Sequence, residues 1–363
     1  MLSTINQPIH IIEPTLRDEA GHCHSLIANL AACQNRPPLV VWGDKQIHLP
    51  QLTSLPGLKL QAYFSRRLRR LQAYFLYRRL LKQPGKIFIS TAGRTDMQLM
   101  HWAAGNHTYD NKIYFYVHWL SLSAKKKRQL EKMAQRRPEF NLLTTTQTAA
   151  NNLRECGFHS VKQIPYPVAA TAASSHHSFK YVLIAGAARQ DKGLSQTIDY
   201  IEFLSRSKLS IPVSIQTSAE HYGKVDIAAR AEINRLDSIL YTALIRQRET
   251  LSADAYRALY DGAICLQPYD PLDFADRVSG VTLDALRAGA PVITTDGTWM
   301  ANIVRRFDAG VVLQDRSVQS IHNAVETIRA RFTDYQVNAQ NAGRILESEN
   351  SAQHLIEALM LAK

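Results

Sequence analysis

Two cations, Arg189 and Lys192, stand between Gly186 and Gly193 directly after the apolar run 179–185. A strand that delivers a glycine, then Arg and Lys, then a second glycine before a helix sets two cations and exposed backbone N–H groups at one sheet edge. That is the outline of a diphosphate site. It is not a Walker loop, because the Gly-Lys-Ser/Thr order is missing, and it is not the Gly-x-Gly-x-x-Gly dinucleotide turn. A second stretch, 276–295, reads as loop, helix and strand. Ser279-Gly280 can open a helix, Gly289 suits a left-handed C-cap, and Pro291 blocks continuation. A helix beginning there offers unpaired N–H groups and a positive dipole end around Ser279, Gly280 and Val281, which suits phosphate. Two carboxylates, Asp276 and Asp284, flank that start. Taken alone, the stretch is equally compatible with an ordinary turn between a helix and a strand.

These groups need elements to hold them. In the first half, 8–13 is a β-rich run followed by a polar loop, 14–22, and a helical stretch from Cys23 to Cys33. Strand, glycine-containing loop and helix in that order begin a doubly wound α/β domain, whose first loop lies at the ligand-binding edge. Asp18, Gly21, His22 and His24 are thereby placed to meet a substrate, or else form a solvated loop with a capping acid. Further strands are expected at 38–42, 86–90, 112–117 and 141–145, and His118 leaves the strand 112–117 at the same edge. The run 167–177, rich in Ala, Ser and Thr, reads as a linker. Strand and helix patterns then alternate again, with strands at 179–185, 211–216, near 239–244, 262–269 and 310–313, and two final helices. The expected domains are therefore 1–168, a linker 169–178, 179–340, and a C-terminal helical segment 341–363 that packs back on the first domain.

Composition narrows the class. No apolar run approaches the roughly 18 residues of a membrane span, and the N-terminus lacks the layout of a signal peptide. The four cysteines, Cys23, Cys33, Cys156 and Cys265, form no close pair, which argues for packing residues in a reducing cytoplasm rather than a zinc site or disulfides. The net charge of +12 is unevenly spread: residues 1–168 hold 23 Lys+Arg against 9 Asp+Glu. Segment 58–82 carries eight basic residues and no acid, among them Arg66, Arg67, Arg69, Arg70, Arg78 and Arg79, interleaved with aromatic residues. Read as a helix, it has a cationic face and an aromatic-aliphatic face, and it either lies in a membrane interface or packs its apolar stripe on the sheet. Lys125, Lys126, Lys127 and Arg128 form a second basic cluster. No nucleic-acid recognition motif accompanies this charge, so nucleic acid is not the expected partner.

The combination of Gly186, Arg189, Lys192 and Gly193, the 255–269 run with Tyr256, Tyr260, Gln267 and Tyr269, and the 279–293 run with Asp284, Gly289 and Pro291 resembles the second domain of the family 4 retaining glycosyltransferases. The resemblance implies the B-type glycosyltransferase fold, two Rossmann-like domains facing across a cleft, with the sugar nucleotide held mainly by the second. Carried over, it gives Arg189 and Lys192 the diphosphate, supported by the N–H groups around Ser279, Gly280 and Val281 in the Gly186-bounded site. Asp284 takes the place of the acid that binds the ribose, and Asp276 that of the acid facing the donor sugar. His118 falls near that sugar, and Asp18, Gly21 and His22 on the acceptor side. Both acids are usually Glu, so each Asp here reaches less far, by roughly an ångström or more.

The implied reaction moves a sugar from a nucleotide donor, such as a UDP- or GDP-sugar, to a lipid-linked or surface-polysaccharide acceptor. Lipopolysaccharide assembly at the inner face of the cytoplasmic membrane is such a setting. Charge that builds on the departing β-phosphate suits Arg189, Lys192 and a helix N-terminus, so neither metal nor cofactor is expected. Two other readings keep the same fold: a non-catalytic nucleotide-sugar-binding protein, and a sugar-nucleotide epimerase.

Overall fold

The computed structural model describes residues 7–360 except 20, 111, 169–176, 218–219, 222–223, 226 and 250. The chain divides into two units, Met1–Ala169 with Glu349–Lys363, and Ala170–Ser348. Most of the expected linker, 169–176, lies outside the described residues.

In the first unit seven parallel strands form one sheet: β1 (Ile9–Ile12), β2 (Leu39–Asp44), β3 (Leu58–Phe64), β4 (Lys86–Ile89), β5 (Ile113–Val117), β6 (Asn141–Thr144) and β7 (Val161–Gln163). Their order is β3-β2-β1-β4-β5-β6-β7. The chain winds outward one way from β1 and the other way from β4, so the topological switch lies between these two strands. Short Ile, Val and Phe runs are what a parallel sheet covered on both faces requires. Successive residues point to opposite faces: Ile87, Ile89, Phe115 and Val117 enter one core with Leu76, Met97 and Leu130. Phe88, Tyr114 and Tyr116 enter the other core with Leu26, Leu30, Leu355 and Leu359. That second face is closed jointly by the helices Gly21–Ala32 and Ala352–Met360, so the end of the chain completes the first unit.

The second unit repeats the plan. Its sheet is built from β8 (Tyr181–Ile184), β9 (Val213–Gln216), β12 (Leu244–Gln247), β13 (Ala263–Gln267), β14 (Val292–Thr295) and β15 (Gly310–Leu313). The order is β12-β9-β8-β13-β14-β15, every pair parallel. A two-stranded antiparallel ribbon, β10 (Glu220–His221) and β11 (Lys224–Val225), follows β9. Here the switch lies between β8 and β13.

Four expectations from the sequence need correction. Residues 58–82 are not one helix: 58–64 are edge strand β3, paired with β2, and the helix is Arg69–Leu80. Gly57, with φ of 71°, turns the chain into that strand, and the Gln72 amide ties Tyr63 and Ser65 to the helix. The strand expected near 239–244 lies at Leu244–Gln247, because 238–243 are turn and loop closing the helix Ile227–Asp237. Three helices end the chain rather than two: Val318–Ala330, Phe332–Glu349 and Ala352–Met360. Asn350 breaks the last two apart, donating to the Tyr166 carbonyl at 2.7 Å and accepting from Val168 N–H at 3.0 Å. Residue 341, the expected start of the last segment, therefore falls inside a helix of the second unit. Lastly, the helix expected from Cys23 begins at Gly21, which puts Gly21 and His22 in a first turn rather than a loop.

Because Leu355 is fully buried between the last helix and the first unit's sheet, Leu355→Ala is expected to cost about 2–5 kcal/mol of stability. Urea unfolding followed by circular dichroism checks this; a loss under about 0.5 kcal/mol would show that the last helix does not close that core.

Candidate functional site

In an open parallel sheet every strand delivers its carboxyl end to one edge, and ligands gather where the winding reverses. In the second unit that position is occupied by the loops after β8 and β13. Gly186, at φ of 87°, leaves β8 and donates its N–H to Gln216 Oε1 at the end of β9. A side chain there would press on Lys192 Nζ and on Val281 Cγ2, at 3.1 and 3.2 Å from its Cβ. Thus the loop after β8 touches the start of the helix Gly280–Arg287. Gly193, at φ of 72°, ends the 3-10 turn Gln190–Lys192 and opens the helix Leu194–Arg206. Any Cβ at Gly193 would collide with the Pro268 carbonyl, so only glycine lets the two loops lie this close.

The cations of this edge are held by one acid. Arg189 grips Asp191 through both Nε, at 2.9 Å, and Nη2. Arg277 Nη1 stands 3.7 Å from the same carboxylate, with its guanidinium 5.0 Å over the Phe274 ring. Lys192 lies 5.5 Å over the ring of buried Tyr269. Burial first, and then repulsion from Arg189, bring the Lys192 ammonium down to about 8. Burial and Arg189 also lower Arg277. Three cations, Arg189, Lys192 and Arg277, thus gather around Asp191 at the sheet edge, with Asp273 also acting on Arg277. Beside it stand the N–H groups of the helix Gly280–Arg287, whose first turn is fixed at two points. Ser279 Oγ accepts from Thr282 N–H at 3.3 Å, and Thr282 Oγ1 donates to Gln267 Oε1 at 2.6 Å, at the end of β13. Nothing lies within 4 Å of where a Gly280 Cβ would stand, so the helix start is uncovered on that side.

The structure therefore brings together Gly186, Arg189, Lys192, Ser279, Gly280 and Val281. Asp276 is half-buried in the same loop as Arg277. Asp284 lies one turn into the helix, where its Oδ2 accepts from the Tyr256 hydroxyl at 3.4 Å and its Oδ1 faces Arg287 at 3.5 Å. Burial raises the Asp284 carboxyl, while Arg287 and Tyr256 oppose the shift. The Tyr256 hydroxyl is in turn 2.6 Å from that of Tyr260.

In the first unit, His118 leaves β5 with its Nε2 2.7 Å from the Ser90 carbonyl and its ring edge-on to Tyr116 and Tyr166. Beneath it Glu13, buried at the end of β1, accepts from the hydroxyls of Thr15, Ser90 and Thr91 at 2.7, 2.8 and 2.7 Å. Asp18 is exposed in the following loop. Gly21 and His22 open the helix Gly21–Ala32, and the His22 side chain lies outside what the structure describes. Arg66, Arg67, Arg69, Arg70, Arg78, Lys125, Lys126 and Arg128 are exposed. Arg79 packs over the Trp42 ring at 4.7 Å and Lys127 pairs with Glu155 at 3.7 Å, so these two are partly engaged. Three of the four cysteines are buried, and burial pushes the Cys23 and Cys265 thiols up to about 12, as packing residues require. Sequence reasoning did not single out Arg277, Asp191 or Glu13. A cation directly before the Ser279 turn and an acid ending the first strand were the available signals.

Two doubly wound parallel units of this kind define the B-type glycosyltransferase fold. Among solved structures, the chain is similar to Anabaena HepE in complex with UDP and glucose, at a TM-score of 0.71 and 14% identity, over 98% of this chain and 100% of that one. It is similar to the trehalose-6-phosphate synthase OtsA at 0.70 and 10%, over 98% and 99%. With WaaG, a glycosyltransferase involved in lipopolysaccharide biosynthesis, the values are 0.65 and 11%, over 97% and 99%. At these identities the likeness is one of fold. No family model and no curated protein matches the sequence.

The depressed Lys192 gives the site a pH signature. A bound anion favours the ammonium, so binding raises its pKa from about 8 and affinity is greatest where Lys192 is already protonated. Affinity for a nucleoside diphosphate is expected to hold steady just above pH 7, where a terminal phosphate is largely ionised, and to fall as pH rises through 8 and 9, by up to about tenfold per unit. Titration calorimetry across that range, with Lys192→Gln as the variant that flattens the profile, decides it. A wild-type affinity that does not change from pH 7 to 9 would remove Lys192 from the anion site.

Proposed function

We propose that this chain is a glycosyltransferase that binds the diphosphate of a nucleotide sugar at the β8 and β13 loops and transfers the sugar to an acceptor hydroxyl. The observation that carries this reading is the cluster of Arg189, Lys192 and Arg277 around Asp191, beside an open helix start at a sheet's topological switch. A nucleoside diphosphate suits that cluster of cations, and a UDP- or GDP-sugar is the donor class. As the bond from the anomeric carbon to the β-phosphate oxygen breaks, charge collects on that oxygen, where the three cations and the N–H groups of Gly280 and Val281 stabilise it. The acceptor hydroxyl attacks from the same face and its proton passes to the departing phosphate oxygen, which retains the anomeric configuration. No metal or cofactor enters this scheme. Asp276 is assigned to the donor sugar's hydroxyls, Asp284 to the ribose, His118 to the transferring sugar, and Asp18, Gly21 and His22 to the acceptor, as in the family 4 enzymes the sequence resembles. The other two readings of the fold, a binding protein without turnover and an epimerase, differ in having no transfer to an acceptor.

The acceptor is proposed to be lipid-linked, as in surface-polysaccharide or lipopolysaccharide assembly, and the enzyme to work at the cytoplasmic face of a membrane. Among the described residues no helix is long and apolar enough to cross a membrane. Support for surface contact comes from the helix Arg69–Leu80. One side of it, Ala73, Leu76, Tyr77 and Leu80, is buried in the core, while Leu68, Leu71 and Phe75 form a second apolar line that is 54–56% exposed. Arg67, Arg70 and Arg78 flank this line. An exposed apolar stripe edged by arginines suits the boundary between headgroups and acyl chains.

A panel of UDP, GDP and dTDP is expected to give a thermal shift with one base, and Arg189→Ala and Arg277→Ala each to weaken that ligand about tenfold or more. Sugar nucleotide of the same base should then be hydrolysed or transferred by wild type. No shift with any of the three would sink the donor site; a shift without turnover on any acceptor would favour the binding protein. In a separate flotation assay, vesicles containing anionic lipid should carry the wild type at physiological salt and lose Leu71→Ser/Phe75→Ser. Equal flotation of that variant would exclude insertion by this helix.

A further inference from the structure

A cavity of about 340 Å³ opens in the first unit between the loops after β4 and β5 and the helix Ala124–Arg136. This is within the range of small-molecule sites, roughly 300–1,000 Å³. Its floor is apolar, made by Met97, Val117, Leu130 and Leu153, all buried. Its mouth is different. Arg94 and Lys126 stand there, both exposed, and no carboxylate among the described residues pairs with either. Lys126 is bent over the opening by donating to the Ser121 carbonyl at 3.2 Å. The acid in the wall, Asp96, is turned back to accept the Gly93 N–H at 2.8 Å. Trp119, 55% exposed, supplies an indole at the rim. His118 lines the same cavity.

An apolar floor beneath two uncompensated cations fits a ligand with an anionic head and a hydrocarbon continuation. We infer that this cavity binds the phosphate of an amphiphilic acceptor, a phosphate ester of an apolar alcohol, with Arg94 and Lys126 on the phosphate and the alkyl portion against Met97, Leu130 and Trp119. The inference deepens the transferase reading and rests on it for the word acceptor, since His118, assigned above to the transferring sugar, lines the wall. The cavity itself does not depend on the donor site, which lies in the other unit. Arg94 and Lys126 act as binding residues here.

Titration of the full chain with decyl phosphate, below its aggregation concentration, against inorganic phosphate and decanol tests it, with tryptophan fluorescence and calorimetry as readouts. Decyl phosphate is expected to bind at least about tenfold more tightly than either half alone. Arg94→Gln and Lys126→Gln should each weaken it about tenfold, Trp119→Phe should remove most of the fluorescence change, and Leu71→Ser/Phe75→Ser should leave the affinity as it was. The thermal shift with whichever nucleoside diphosphate the panel selects serves as the check on folding in every variant. Equal binding of inorganic phosphate would reduce the cavity to a simple anion site and overturn the inference. So would decyl phosphate binding that ignores both cation variants or follows the Leu71/Phe75 stripe. No response of the wild type to any of the three nucleoside diphosphates would instead count against the donor reading and leave the cavity result standing by itself.

Discussion

Asp191 is the residue on which the second unit's site depends. Its carboxylate takes both arms of Arg189 and stands 3.7 Å from Arg277, while its own backbone carbonyl accepts the Asp270 N–H at 2.9 Å. One acidic residue thus fixes two cations and joins the loop after β8 to the loop after β13. The collision that any side chain at Gly193 would make with Pro268 closes the same seam from behind. Lys192, buried beside these groups, gives up part of its basicity to burial and to its neighbour Arg189. Cations fixed in that way are arranged in advance, so an anion bound beside them would meet electrostatics already set.

Beside the cations, the helix start contributes through its backbone. Its N–H groups are aimed by Ser279 and by the bond from Thr282 to Gln267, so the direction of the first turn is tied to the end of β13. This part of the site thus depends on three side chains, Ser279, Thr282 and Gln267. Asp284 is held by Tyr256 and Arg287 at 3.4 and 3.5 Å, long contacts for hydrogen bonds.

Much of this was legible in the sequence because parallel strands buried on both faces read as short apolar runs, as at β1, β4, β5 and β13. The glycines at 186 and 193 and the Ser279-Gly280 turn were legible for a related reason: positive φ and capping are local demands. What stayed hidden was set by distant partners. β3 is an edge strand with most of its residues partly or fully exposed, so its apolar pattern is weak and runs into the arginines that follow. Glu13 owes its burial to Ser90 and Thr91, 77 and 78 residues away, and nothing near it in sequence announces that. Arg277 meets Asp191 across the seam between two loops. The break at Asn350 is invisible to periodicity, since helix-forming residues continue on both sides, and it depends on the Tyr166 and Val168 backbone.

The two units also handle charge differently, and this bears on what the first one meets. In the second unit arginines close on carboxylates of the same unit, as Arg235 does with Asp199, Glu202 and Glu232. The first unit lacks the acids to do so, with 9 against 23 cations in residues 1–168. Several of those acids are spent elsewhere: Glu13 on three hydroxyls, Asp96 on the Gly93 N–H, and Asp44 on the Gln46 N–H at 2.9 Å. The surplus is left to solvent ions or to an anionic partner. A polyanion in solution would serve as well as a bilayer if charge were the whole of it. The proposed membrane contact would also account for Leu68, Leu71 and Phe75, because an exposed apolar line among arginines costs free energy in water and contributes nothing to a phosphate backbone, whereas an acyl boundary would take up both at once.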